Sequence, residues 1–435
     1  MAHHPVTSAE IAIHGDHLDS SKVARVKGFA FFIALVGTAA SLYLLFLAPE
    51  KTRGSFAYSW LFAFYFFLTL SIGGCFWTLL HNVSNSGWGT SVRRTFENLG
   101  STYPWMFLFG IPLLFPQVQQ YLYEWMNIHR AGHGNVKEHL HHADHLLYNK
   151  YWFMNLPFWY GRVIFWGVGL SLVIIGLRRL SVAQDTDPNP GTARLFKARF
   201  HSTYTLIIFA LTITFTGFDF VMGLDYKWFS TMWGVYLFAG SALNSMAVII
   251  LVAAWLKGQG HLRHVTTGEH FHIMGKLLFA FTVFWAYVTF SQYFLIWNAN
   301  VPEETFWYNL REVNHDGSSN QWKWIGIFGI LFGHFFIPFF FLLSYRYKVT
   351  KHIIRRIAYW FLAIILLDMC YNIMPALKDS HGDSLPLVSL NLVWILSSLI
   401  GVGGVCVWSY LRSFPTTKLI PIRDPRIGES LTHHE

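Results

Sequence analysis

The sequence predicts an all-α membrane protein that crosses the bilayer about ten times, with both termini in the cytoplasm. Three observations carry this. Hydrophobic residues fill 53% of the 435 positions and charged residues only 13%, where a soluble domain carries about 25% charged residues. Apolar runs of spanning length, about 20 residues each, recur along the chain. The loops between them alternate in charge: 21 of the 32 Lys and Arg fall on one set of loops and 9 on the other, with Arg162 and Lys276 inside apolar runs. The positive-inside rule turns the basic side to the cytoplasm, and an even number of spans brings both ends there. The net charge of +9 sits in short loops beside apolar spans, which points to a membrane surface and excludes a nucleic-acid binder.

Taken in order, the first 21 residues are polar and rich in histidine, and residues 1–25 read as a cytoplasmic segment. The first apolar run is long enough to span and has no small-residue cleavage pattern, so no cleavable signal is expected. Spans are expected at 26–48, 57–81, 96–116, 156–177, 200–221, 230–256, 270–297, 322–345, 354–376 and 386–411, making a membrane domain of 26–412. If the first and last spans are peripheral, the others form two successive four-helix sets, about 57–221 and 230–376. Two outer loops are long. One, 117–155, is rich in His; the other, 298–321, mixes charge with aromatics in a way that suits docking to an extramembrane partner. The tail, 413–435, is polar with several prolines and is expected as an extended cytoplasmic arm.

Redox and metal centres find little support. Cys75, Cys370 and Cys406 fall inside spans with no CxxC pair, so they supply neither a four-thiolate iron–sulfur cluster nor a c-type haem attachment. No two spans carry the paired histidines that stacked b-type haems need. The outer-loop histidines 129, 133, 139, 141, 142 and 145, with Glu138 and Asp144, lack a conventional zinc spacing.

The chemistry-bearing residues form stripes. His201, Thr205, Thr212, Thr216 and Asp219 recur at helical spacing within a sector of roughly 60° and over about 27 Å, close to the thickness of a bilayer core. A lone carboxyl group inside a span costs about 2.5–3.5 kcal/mol. Asp219 is therefore either a proton-exchanging group or a shallow residue that caps its helix or pairs with Lys227. Asp368 lies deeper, in LLDMCYNIMP, with Tyr371 and Asn372 on its face and Pro375 freeing the carbonyl of Tyr371. That cluster suits a proton, a water or a ligand carbonyl, and equally a satisfied hydrogen-bond knot. From the cytoplasmic side, Glu269, His272 and Lys276 share a face with Tyr287 and Ser291. His272 beside Glu269 suits proton entry, whereas Lys276 at two turns' depth suits snorkelling. His334, mid-span with Pro338 four residues on, leaves its own carbonyl unbonded; such a kink lines a cavity or joins a neighbouring helix. Ser241, Asn244 and Ser245 read as helix–helix glue.

Three stretches carry a resemblance. HFHIMGKLLFAFTVFWAYVTFSQYFLIWNANVPEETFWYNLR (270–311), DYKWFSTMWGVYLFAGS (225–241) and GWGTSVRRTFENLG (87–100) resemble the large membrane subunits of bacterial alternative complex III, the ActF type before its relative ActC. More widely they are similar to the NrfD/PsrC quinol-oxidising anchors. The sequence departs from that family at Leu224-Asp225-Tyr226-Lys227, where an acidic-Pro-His run is usual. The resemblance implies two four-helix bundles in a bacterial inner membrane. The implied partners are an ActC-like membrane subunit, iron–sulfur and c-haem subunits on the outer face, a terminal oxidase and lipids. It also implies menaquinol as the electron donor of the complex, with no covalently bound cofactor on this chain. The expected function is then support of quinol oxidation and proton translocation, with Asp219, Asp368, His334, His272 and Lys276 as relay residues. The alternatives are a structural scaffold, an anchor of another respiratory oxidoreductase, or a stand-alone transporter.

Overall fold

The computed structural model describes residues 16, 18–47, 49–132, 136–187, 191–262, 265–387 and 391–431. His133 and Arg263, most of the histidine-rich N-terminal segment and the last four residues lie outside them. Apolar stretches without interior proline become long helices, α1 Ser20–Leu47 and α2 Glu50–Val83. The chain then breaks into short pieces. A 3-10 turn, Trp88–Val92, leads into α3 Arg93–Gly100, α4 Tyr103–Phe109, a second 3-10 turn at Ile111–Leu114, and α5 Pro116–Leu122. The histidine-rich loop adds α6 Glu124–Ala131, α7 Val136–Ala143 and α8 His145–Lys150. Long helices resume with α9 Leu156–Thr186, α10 Ala193–Phe220, α11 Trp233–Gly258 and α12 Gly268–Ala299. After α13 Pro302–Glu312 comes a composite helix of α14 Gln321–Trp324, a π-helix over Ile325–Phe336, and α15 Ile337–Leu343. The chain closes with α16 Tyr345–Val349, α17 Lys351–Ile373, α18 Asn391–Ser413 and α19 Ile427–Leu431.

Among the described residues nine helices are long and apolar enough to cross a membrane. The expected continuous span at 96–116 is the exception, and its prolines explain why. Pro104, Pro112 and Pro116 each open a new short element, because each removes a helical donor and crowds the preceding turn. The pieces nevertheless run in step along α9. Arg178 donates to Asn98 Oδ1 (2.6 Å), Tyr103 donates to the Trp166 carbonyl (3.4 Å), and Tyr160 donates to the Leu114 carbonyl (2.9 Å). Residues 178 to 160 of α9 cover about 27 Å, so this stretch runs in broken pieces beside that length of α9. Irregular backbone at that depth must be satisfied by protein; Trp60 Nε1 meets the Phe109 carbonyl at 2.9 Å.

Helix α2 is the hub, buried along nearly all of its apolar length. Small residues let neighbours approach it. A Cβ on Gly73 would lie 2.2 Å from the Ser241 carbonyl of α11, and one on Gly74 2.5 Å from the Gly100 nitrogen of α3. Trp77 of α2 donates to Ser245 Oγ of α11 at 3.0 Å. Asn244 donates to Thr69 Oγ1 of α2 at 3.4 Å, so the polar centre of α11 joins helices as expected. Helix α1 packs on α18 through Gly37 and Gly401 and leaves Phe29, Phe32 and Phe46 exposed.

The tail is not an extended arm. Residues 414–431 fold against the basic face, burying Phe414, Leu419, Ile420 and Leu431. Asp424 accepts from Arg93 (2.5 Å) and Arg426 (2.8 Å). Arg423 donates to the Asp187 carbonyl, Ser430 Oγ donates to the Trp88 carbonyl at 3.0 Å, and the Leu419 N–H donates to the Asp16 carbonyl at 2.8 Å. Apolar side chains spaced among the prolines, and arginines matched to carboxylates on α3 and the tail, hold this strap down.

Candidate functional site

The threonine stripe of α10 faces inward as its spacing requires: Thr205, Thr212, Thr216 and Asp219 are buried. Its hydroxyls point along the helix. Thr205 donates to the His201 carbonyl (2.6 Å), Thr212 to Ile208 (2.8 Å) and Thr216 to Thr212 (2.7 Å), the back-bonding common to threonine in apolar helices. His201 Nδ1 meets Tyr204 Oη at 2.7 Å.

Asp219 is not a lone carboxyl group. Arg162 of α9 grips it from both sides, NH2 to Oδ1 at 2.5 Å and Nε to Oδ2 at 3.1 Å. The third nitrogen donates to the Phe153 carbonyl at 2.8 Å, and the guanidinium stacks on Phe153 (3.8 Å) and Phe158 (4.5 Å). Lys227, the partner weighed from sequence, instead lies over the Tyr226 ring. The pair forms the wall of an apolar cleft of about 340 Å³ rimmed by Trp125, Trp152, Phe218 and Phe229. The signal was present, since Arg162 and Lys276 were the two cations left inside spans, but 57 residues separate the partners.

Around Asp368 the structure gathers more than was foreseen. Tyr236 of α11 donates to Oδ1 at 2.5 Å. Asn372 donates to the Tyr236 hydroxyl (2.8 Å), to the Asp368 carbonyl (2.7 Å) and to Oδ1 (3.3 Å). His334 Nδ1 stands 3.7 Å from Oδ2, with its ring stacked on Trp285 at 3.7 Å between centroids. His334 is fully buried and neither ring nitrogen has a hydrogen-bond partner among the described residues. No Arg or Lys there is within ion-pair distance of Asp368. Asn372 orients this carboxyl, and Tyr236 and His334 are the proton-bearing groups beside it, so proton exchange is chemically open to Asp368 in a way it is not to the saturated Asp219 pair.

Helix distortion builds that cluster. Pro338 was expected to orphan the His334 carbonyl. In the wider π register the missing donor moves the orphan one residue back, and Trp360 Nε1 of α17 donates to the Gly333 carbonyl at 2.8 Å. Such π segments concentrate at functional sites. On α17, Pro375 does free the Tyr371 carbonyl: Arg311 of α13 donates to it through Nε (3.1 Å) and to the Asn372 carbonyl through NH2 (3.1 Å). Arg311 is buried and lies 3.3 Å over Trp307; burial lowers its pKa to about 10, the nearby tyrosine hydroxyls opposing the fall. Above Asn372 lies a polar cleft of about 300 Å³, lined among others by Arg311, Asp225, Glu124, Tyr58 and Lys378. Tyr236 and Arg311 were missed because no periodicity on one helix reports a donor on another.

On the basic face, Glu269 accepts from Tyr345 at 2.8 Å and lies 3.7 Å from His272 Nδ1. The Tyr345 ring meets His272 edge-on, 4.5 Å between centroids. The stripe does not continue inward. Tyr287 is 66% exposed, Val283 and Phe284 are also exposed, and Ser291 is half-buried, so this face of α12 turns outward. The buried face beyond Gly275 presents Leu278, Thr282 and Trp285, and Thr282 donates to the Leu278 carbonyl at 2.8 Å. Lys276 is half-buried, beside Lys348.

In the histidine-rich loop, His129 stacks on Tyr151 and Asp144 caps α8 through the Leu147 N–H (2.9 Å). His139, His141, His142 and His145 form no converging set with the acids: among the described residues no group of three or more His, Cys, Asp or Glu side chains is placed to hold a metal. Compared with known proteins, the chain matches no family model and no curated protein.

Proposed function

We propose that this chain is a proton-handling membrane subunit of a quinol:electron-acceptor oxidoreductase of the alternative complex III type. Asp368 is its proton-exchanging group. The observation that carries the reading is a buried carboxyl group held by Tyr236 and Asn372 with His334 Nδ1 3.7 Å from its second oxygen, set against a π-helix and beneath a polar cleft. A carboxyl inside a membrane protein with no Arg or Lys at ion-pair distance among the described residues is a functional-site hypothesis by default.

In this reading the complex lies in a bacterial inner membrane, oxidises menaquinol and passes electrons to cytochrome c or a terminal oxidase. Its iron–sulfur and c-haem partners carry the electrons. The helices group as two four-helix sets, α2 to α10 and α11 to α17, and the basic face is cytoplasmic with both termini on it. The three stretches that resemble the ActF and NrfD/PsrC subunits support this. Asp219 takes a different role from Asp368. Its bidentate partner fills both oxygens, which favours a structural tie between α9 and α10.

The test is turnover of the complex with Asp368→Asn in proteoliposomes. The proton-to-electron ratio is expected to fall while quinol oxidation continues. A ratio and turnover equal to wild type overturn the proposal. Reduced assembly with full activity per assembled complex returns the chain to a scaffold.

A further inference from the structure

His81 stands at the basic-face end of α2 and belongs to none of the clusters above. It is 5% exposed, and neither ring nitrogen has a hydrogen-bond partner among the described residues. The ring meets the edge of Phe96. The charges that reach it come from α3, as Arg93 and Glu97, and from the tail strap, as Asp424 and Arg426. An imidazole buried without partners costs free energy unless water reaches it.

What covers it is a two-layer lid. The inner layer is the 3-10 turn Trp88–Val92, part of the GWGTSVRRTFENLG stretch. Gly89 lies so close that a Cβ there would come within 2.8 Å of His81 Nδ1, so glycine is what lets backbone seal the ring. The outer layer is the strap. Ser430 Oγ donates to the Trp88 carbonyl (3.0 Å) and meets His270 Nε2 of α12 (3.1 Å). A Cβ on Gly87 would strike the Glu429 carboxylate at 2.3 Å. Arg93 carries the latch, bound at once to Glu97 (2.7 Å) and to Asp424 (2.5 Å). The strap therefore presses the turn onto the histidine and ties α3 to the start of α12.

We propose that the turn at 87–92 and the C-terminal strap form a lid that controls the access of water and protons from the basic face to His81. The closed lid is the state described; release of the Arg93–Asp424 latch opens it. This stands on the lid's geometry and does not need the proposed respiratory role.

The experiment is carbethoxylation of the purified full chain by diethylpyrocarbonate, read residue by residue by mass spectrometry. In the wild type, exposed His139 reacts and His81 is protected. Asp424→Asn, which keeps the shape of the latch and drops its charge, raises the His81 rate by at least about 100-fold, because loss of one partner of a buried charge pair shifts the local opening equilibrium by that much or more. Truncation after Phe414 does the same by removing the strap. Buried His334 reports global unfolding and stays protected in both variants. The proposal is overturned if His81 reacts as fast as His139 in the wild type, or stays protected without the strap. It is equally overturned if His81 and His334 become reactive together.

Discussion

Replacing Arg162 by leucine tests the reading of the Asp219 pair. The two guanidinium contacts, at 2.5 and 3.1 Å between groups 7% and 4% exposed, represent a Coulomb attraction of about 5 kcal/mol at an effective dielectric of about 20. Desolvation of both ions offsets much of that, so the pair itself contributes little net stability. Breaking it is another matter. Arg162→Leu leaves a buried carboxylate facing Phe153, Phe158 and Trp159, and removing one partner of a buried pair costs about 3–5 kcal/mol. Lost stacking on Phe153 and Phe158 adds about 1 kcal/mol. Asp219→Leu should cost somewhat less, since Arg162 keeps the Phe153 carbonyl and its two rings. The double substitution removes both charges and should fall within about 2 kcal/mol of wild type. The assay is unfolding of the detergent-solubilised protein by circular dichroism, run as a double-substitution cycle. Single losses below about 1 kcal/mol, or a double loss equal to the sum of the singles, would refute a structural ion pair.

Three further predictions follow from other parts of the molecule. Gly73→Ala places a Cβ 2.2 Å from the Ser241 carbonyl and should cost about 1–3 kcal/mol in the same assay; Gly161→Ala, with open space around it, should be neutral within about 0.5 kcal/mol. Trp360→Phe leaves the Gly333 carbonyl without its side-chain donor and should cost about 1–3 kcal/mol; an unchanged unfolding midpoint would mean the π register does not rely on that bond. The strap sets an acid limit. Burial pushes the Asp424 carboxyl up, but the Arg426 hydrogen bond and the charges of Arg93 and Arg426 outweigh it and hold the group well below the usual carboxylate range. A depressed native pKa means the stabilisation is complete above the unfolded value of about 3.9 and is lost as pH falls through the native one. Proteolytic release of the tail should therefore begin only in strong acid for wild type, and Asp424→Asn should remove that pH dependence.

Hydropathy was enough for the class of fold, and most spans lie where apolar runs placed them. Where the sequence reading fell short, the missing information was between helices. The apolar content of 96–116 suggested one helix, but Pro104, Pro112 and Pro116 outweigh hydropathy because each removes a donor. Pro375 correctly located a freed carbonyl, while the sequence had no means of assigning Arg311 to it. At Pro338 the expected orphan shifted from His334 to Gly333, because spacing arguments assume an α register and this helix adopts a wider one. The tail looked extended because prolines and polar residues dominate it; four buried apolar side chains and a carboxylate matched to Arg93 decide otherwise. Asp219 drew attention as an isolated charge, yet its counter-ion was the arginine within the preceding span. Asp368 looked comparable in sequence and differs in the structure, where its donors are Tyr236 and Asn372.

The most direct measurement of the central claim is infrared difference spectroscopy of the complex between oxidised and quinol-reduced states, compared with its Asp368→Asn variant. A carboxyl band that changes on reduction in wild type and is missing in the variant is the predicted result. Identical difference spectra, with electron transfer running in both, would contradict a proton-exchanging Asp368.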